Sequence, residues 1–444
     1  MKNLLMIILI SILSIGLVYG ETITPFKDAN LLSHPNKYFS SIPVYNQEGG
    51  TCYSYVTSML LDYERLSKKE IISSEQNLSS TFWIAIKHKS SFYAKLTGES
   101  KTPDKTLNSG NLYFSLDGLR NKGTCTNKEV DAILKRKIPH LFKLKNTFNH
   151  KDAITLIMNI LNSYQNLYYE AKDLMDQGKS FEKEKPNFKL NSLHNVYFSP
   201  RPAFVFKTPK VIVPAVKAES NTQATVVAAP TSQPKPAVIR KYEMPKMDLT
   251  AYRDNTDIDH EKELLFKSML ADEYAYNILK KAILDEFDAE TLELFEILLD
   301  QVRTQGTLEF LAGLIEDCQK MPKRFNPKKI GIIYLSLKGK EGTFQFINSQ
   351  LNTARPRPLG ISYCSEMLID GKKHTSKDAN CGSHLSVIVG QRLNAGRKEF
   401  LIQNTWGKSC TGISPKWECL KDQGAIWVDG GILFESGTTI SWVE

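Results

Sequence analysis

Beyond its N-terminal segment the chain has no apolar run approaching the roughly 20 residues that a membrane-crossing helix needs, so no bilayer span is expected after Val18. It also lacks any concentration of positive charge. The formal net charge is +9, yet the lysines and arginines stand singly among acidic residues, with no arginine-rich arm and no basic stripe interleaved with aromatics. That pattern is ordinary solvation and excludes the electrostatic footprint of a nucleic-acid surface. No cysteine closes the first apolar run, so the signal for a lipidated N-terminus is missing.

What the N-terminus does carry is a leader. Met1-Lys2-Asn3 brings a positive charge, Leu4 to Val18 is apolar, and Tyr19-Gly20-Glu21 ends in small and polar residues. This is the pattern of a secretory signal peptide, with cleavage expected near Gly20. An uncleaved anchor helix fits less well, because the run is short and no basic stop-transfer flank follows. The mature chain is expected to be soluble and exported, secreted or periplasmic, with no stable membrane insertion. At 444 residues it is too long for one ordinary core, which points to two or three domains.

Seven cysteines in an exported protein should mostly pair, and the odd count leaves one over. Cys364 and Cys381 flank one polar loop, Cys410 and Cys419 another, and Cys125 and Cys318 remain for each other. This is one of many connectivities that six cysteines allow. It leaves Cys52.

From Pro43 to about Lys207 apolar residues recur at helical spacing, in Tyr53–Tyr63, Thr126–Leu134 and Ile154–Leu174. The texture then changes to Pro, Ala, Val, Thr and Ser over Pro209–Lys241, which reads as an extended linker or exposed loop. Helical periodicity returns over Glu261–Gln319. After Lys328 come short runs of β-branched and aromatic residues: Ile330–Leu337, Leu359–Tyr363, Leu385–Val389, Glu399–Gln403 and Ala425–Val428. The expected class is α+β. Its expected parts are a signal peptide (1–20), a helical domain (21–207), a linker (208–245), a helical insertion (246–328) and a β-rich domain (329–444), with a cleft between the helical and β-rich domains.

Two segments carry chemistry. In Asn46-Gln47-Glu48-Gly49-Gly50-Thr51-Cys52-Tyr53 the glycines allow a tight turn and a helical pattern starts directly after Thr51. Cys52 would then sit in the first turn of a buried helix, where unpaired N–H groups and the dipole favour a thiolate. The competing reading is a half-cystine or an inert buried thiol.

The second segment is Gly382-Ser383-His384-Leu385-Ser386-Val387-Ile388-Val389-Gly390, a polar loop, and Phe400-Leu401-Ile402-Gln403-Asn404-Thr405-Trp406-Gly407. It reads as a β-hairpin. Pairing symmetric about Asn394 would set His384 opposite Asn404, on one face of neighbouring strands. An amide oxygen there can accept from one imidazole nitrogen and leave the other for a thiol, with Trp406 shielding the bond. Singly, His384 could be a surface histidine and Asn404 a turn former.

Together and in this order these residues resemble the papain family of cysteine peptidases. The likeness rests on Asn46-Gln47 before Cys52, Tyr53 after it, Ser383-His384 opening a strand and Asn404-Thr405-Trp406-Gly407 closing the next, with an echo at Ser109-Gly110-Asn111 through Gly123-Thr124-Cys125. It implies a two-domain papain-like fold, with a helical left domain, a β-barrel-like right domain and the site in the cleft between. The roles it implies are Cys52 as nucleophile, His384 as base, Asn404 as orienter and Gln47 as oxyanion donor, with Gly110 holding the substrate backbone. It implies a protein or peptide substrate and no metal or organic cofactor.

Three features depart from the family pattern. Only Glu48–Thr51 separates Gln47 from Cys52, one residue fewer than usual, and Tyr53 stands where tryptophan is commoner. Glu21–Thr51 is also too short for the family's inhibitory propeptide, so any latency falls to the inserted material between about Lys137 and Lys328. Two other functions compete: a papain-like binding module with weak or no catalysis, and another cysteine hydrolase such as a cell-wall amidase or transglutaminase-like enzyme. Gln47 and Asn404-Thr405-Trp406 argue against the latter.

Overall fold

The computed structural model describes residues 25–47, 50–90, 107, 110–120, 123–139, 164, 167–177, 270–281, 292–293, 296–301, 307–320, 327, 329–375, 377–378 and 381–444. The leader and the Pro/Ala-rich stretch lie outside these, as do Glu48, Gly49 and Ser109. The described residues fall into two compact units: one takes those of 25–139 and 280–444, the other those of 164–177 and 270–279. The expected helical and β-rich segments share the first unit, which is mixed helix and antiparallel sheet. In the second, residues 167–176 and 270–279 are helical, overlapping the expected Ile154–Leu174 and lying inside Glu261–Gln319.

The sheet of the first unit contains β1 (Ala29–Asn30), β2 (Ile330–Tyr334), β3 (Leu359–Cys364), β4 (Ser383–Asn394), β5 (Arg397–Gln403), β6 (Glu418–Leu420), β7 (Ala425–Asp429) and β8 (Gly437–Val443). Its order is β2-β8-β3-β4-β5-β7-β6, with β1 added on β4, and every pairing is antiparallel. All five expected strands are present. The first stops at Tyr334 because the chain turns into a short helix, Leu335–Lys338.

The helix Cys52–Ser67 packs on β3, β4 and β8. Gly360 permits that approach, since a Cβ there would fall 3.0 Å from Val56 Cγ1 and 2.2 Å from Leu112 Cδ2. Phe400 of β5 stacks on Phe344, with centroids 5.7 Å apart, and packs on Phe434 at 5.0 Å, which closes the apolar core on the helices Lys340–Leu351 and Gly430–Ser436.

Three buried ionic residues, Asp62, Glu64 and Arg65, interrupt the apolar pattern of the Cys52–Ser67 helix. Asp62 is fully buried and accepts from Arg65 Nη1 at 2.9 Å, Ser58 Oγ at 3.1 Å, and Ser79 N and Oγ at 3.0 and 2.7 Å. Burial raises its pKa although Arg65 and these donors oppose the rise. A buried carboxylate is tolerable only when so fully bonded. The network ties this helix to Ser79, next to the helix Thr81–Lys89.

Three disulfides, Cys125–Cys318, Cys364–Cys381 and Cys410–Cys419, match the expected pairing, and Cys52 is free and buried.

Candidate active site

Cys52 is the first residue of its helix, with Thr51 at the N-cap. It is 6% exposed, and the backbone N–H of Leu385 lies close enough to its sulfur to oppose the effect of burial on its pKa. Leu385 follows His384 directly, so the strand that carries the imidazole runs beside the thiol. The helix terminus was expected to favour a thiolate. Burial outweighs it and pushes the Cys52 thiol from 9.0 up to about 11.

The hairpin brings His384 and Asn404 together by a register other than the symmetric one. A two-residue turn at Ala395 (φ 47°) and Gly396 (φ 77°) pairs Asn394 with Arg397 and Gly390 with Leu401. A bulge at Val389 then shifts the ladder, so that Ile388 pairs with Ile402 and Val387 with Gln403. Continued, this register sets His384 opposite Trp406, with Asn404 its diagonal neighbour on the same face. Symmetric pairing about Asn394 is therefore corrected, while the contact it was meant to explain is present.

His384 Nε2 lies 2.8 Å from Asn404 Oδ1, and the Thr405 backbone N–H donates to the same oxygen at 2.8 Å. An atom that receives a backbone N–H must be the amide oxygen, so the imidazole has to be the donor. This fixes the proton on Nε2 and leaves the lone pair on Nδ1. Asn404 is itself placed by its N–H to the Gly424 carbonyl, 2.9 Å. Gly424 has φ +61°, and a Cβ there would fall 2.4 Å from Val44 Cγ1.

The imidazole is 4% exposed and lies between two rings. Trp406 is on one side at 4.7 Å, and Tyr363, its cross-strand partner on β3, stands perpendicular at 5.6 Å. Burial holds His384 down at about 4 from an ordinary 6.5, against the pull of the Asn404 bond. In this arrangement burial disfavours the charged form of both thiol and imidazole.

Gln47 joins the group through Thr405. Its backbone N–H donates to the Thr405 carbonyl at 2.6 Å, and its side-chain oxygen accepts from the Thr405 hydroxyl. Asn46 bridges to Trp406, and the Gly407 N–H donates to the Tyr45 carbonyl at 2.9 Å. Residues 45–47 are thus laced to 405–407, with the Gln47 amide turned oxygen toward Thr405. Thr405, fully buried, carries both Asn404 and Gln47 through three bonds. Its place inside the Asn404-Thr405-Trp406-Gly407 motif was visible, but its role was not, because a threonine there has no chemistry until the partner segment is known.

Gly110 lies against Tyr53, the neighbour of Cys52: a Cβ at this position would fall 2.7 Å from the ring. Tyr53 donates its hydroxyl to the Leu107 carbonyl at 3.0 Å, and Asn111 N–H donates to His88 Nε2 at 3.4 Å. Every residue singled out from the sequence, Cys52, His384, Asn404, Gln47 and Gly110, therefore belongs to one neighbourhood of the first unit.

Among the described residues no group of three or more His, Cys, Asp or Glu side chains is arranged to hold a metal ion, and no helix is long and apolar enough to cross a membrane. No protein-family profile and no curated protein matches the chain. The fold and site define an α+β protein with a buried free cysteine beside a histidine–asparagine pair.

Proposed function

We propose that this chain is an exported papain-like cysteine peptidase that hydrolyses peptide bonds in protein or peptide substrates through Cys52, His384, Asn404 and Gln47. The observation that carries the reading is the doubly accepting Asn404 oxygen. It commits the His384 proton to Nε2 and leaves Nδ1 as the basic nitrogen, on a strand whose next N–H lies close to the Cys52 sulfur.

The steps follow from those positions. As the Cys52 sulfur attacks the substrate carbonyl, its proton passes to His384 Nδ1, because burial disfavours the charged form of both groups beforehand. The C–S bond forms while the carbonyl electrons move to oxygen. The resulting oxyanion is met by the Cys52 backbone N–H and the NH2 of Gln47, whose opposite end is held by Thr405. The imidazolium, steadied by Asn404, returns the proton to the leaving amine as the C–N bond breaks. Water, deprotonated by Nδ1, then hydrolyses the thioester.

Export is supported by the leader pattern and by three disulfides, which persist in oxidising compartments. Burial of Cys52 and its raised pKa favour a second reading, a binding module of the same fold with weak catalysis. A peptide-library cleavage profile of the mature protein beside a Cys52→Ala control separates the two. Sequence-selective cleavage lost in the control supports the peptidase, and equal traces in both support the module.

A further inference from the structure

Three residues stand in a row across neighbouring strands: Tyr363 on β3, His384 on β4 and, in the continued register, Trp406 beyond β5. Tyr363 is 1% exposed, its ring is perpendicular to the imidazole at an interplanar angle of 85°, and its hydroxyl lies 2.8 Å from Ser386 Oγ. Ser386 is fully buried and two residues along β4 from His384, so it projects from the same face. The bond between the two hydroxyls holds the Tyr363 ring beside the imidazole, on the strand opposite the one that leads to Trp406. A buried tyrosine pointed at a histidine would otherwise leave its hydroxyl unsatisfied, a costly arrangement for simple packing.

We propose that Tyr363, anchored by Ser386, is a positioning residue that holds the His384 imidazole in the one rotamer that keeps Nε2 on Asn404. The inference rests on the peptidase reading in that His384 is the base it serves. Neither Tyr363 nor Ser386 takes or gives a proton in the reaction. Trp406 and Tyr363 approach the imidazole from the strands on either side of β4 and so restrict its rotation about the Cα–Cβ bond. Displacement of the imidazole by about an ångström is enough to cost on the order of a hundredfold in rate.

The test uses the full chain with ¹⁵N-labelled histidine, the His384 signals being assigned with His384→Gln. Wild type should show one tautomer, protonated at Nε2. Tyr363→Leu should show mixed or exchange-broadened ring nitrogens and a kcat lowered about tenfold or more with KM within about threefold. Tyr363→Phe, which keeps the ring but loses its anchor, should fall between wild type and Tyr363→Leu in both signals. Ser386→Ala should match Tyr363→Phe, and the double variant should add nothing, since both remove the same bond. Wild-type ring nitrogens and a wild-type kcat in Tyr363→Leu overturn the proposal, whatever happens to melting temperature. If wild type itself cleaves nothing, the peptidase reading falls while the nitrogen spectra still decide the positioning role.

Discussion

His384 and Asn404 share one face of the sheet because Val389 is bulged. The turn at Ala395 and Gly396 sets a register in which His384 would lie opposite Gly407, and that places Asn404 on the opposite face. One extra residue on β4, between Ile388 and Gly390, restores the parity, and the 2.8 Å bond from His384 Nε2 to Asn404 Oδ1 becomes possible. Bulges commonly re-aim side chains near functional sites.

Asn404→Ala removes the acceptor that fixes the proton on Nε2. Its kcat should fall about ten- to a hundredfold with little change in KM, the mark of an interaction that acts after binding. Steady-state kinetics on a peptide substrate measures this. A large rise in KM with unchanged kcat would place Asn404 in substrate binding instead.

Thr405 and Gln47 should behave as one unit. Gln47→Ala is expected to lower kcat by about a hundredfold, the usual cost of one oxyanion donor. Thr405→Val, which removes the hydroxyl on the Gln47 oxygen, should cost less, and Thr405→Ser should recover activity. The double variant Gln47→Ala/Thr405→Val should be no worse than Gln47→Ala alone. Additive losses measured in that cycle would uncouple the two residues.

Acid should weaken the fold through His384. Folded His384 titrates at about 4 and an ordinary histidine at 6.5, so between these values the unfolded chain binds a proton that the folded chain refuses. Stability is then intact above 6.5 and falls as pH drops toward 4, by about 1.4 kcal/mol per unit for this one group. Cys52 acts at the other end, lowering stability as pH rises from 9.0 to about 11. Denaturant unfolding across pH should show an acid slope shallower by one proton in His384→Gln, and identical slopes would count against a buried neutral imidazole.

Much of this site was legible in the sequence because its members sit in short segments of strong local pattern. Gly-Gly followed by helical spacing announced the helix Cys52–Ser67, and two apolar runs around Asn394 announced the hairpin. The register was not legible, because alternation in Leu385–Val389 looks the same with or without a bulge. Only the close approach of β1, whose Ala29 carbonyl would lie 2.7 Å from a Cβ at Gly390, marks the place. Thr405 and Tyr363 were hidden for a related reason: each acts through a partner distant in sequence, Gln47 or His384. The helix dipole at Cys52 can be read from sequence, whereas the desolvation that raises its pKa depends on packing.

Loss of the Cys364–Cys381 bridge should loosen the segment that leads into His384. Cys364 pairs with Ser383 on β4, and the bridge spans 17 residues. The Cys364→Ser/Cys381→Ser variant should lose about 3 kcal/mol of unfolding free energy. Denaturant melts followed in parallel with kcat should show activity lost before global unfolding. Coincident losses would show that the bridge supports the fold without any special hold on His384.

The most direct measurement concerns Cys52. The mature protein and its Cys52→Ala variant are incubated with an epoxide inhibitor of papain-type enzymes and with a peptide library, and both are read by mass spectrometry. One covalent adduct is expected on Cys52 in the wild-type protein, with library cleavage that the adduct abolishes. Neither should occur in Cys52→Ala, although that variant keeps the wild-type circular dichroism spectrum and its three disulfides. Undiminished cleavage by Cys52→Ala, or a folded wild-type protein that takes no label and cleaves no peptide, would contradict the peptidase reading.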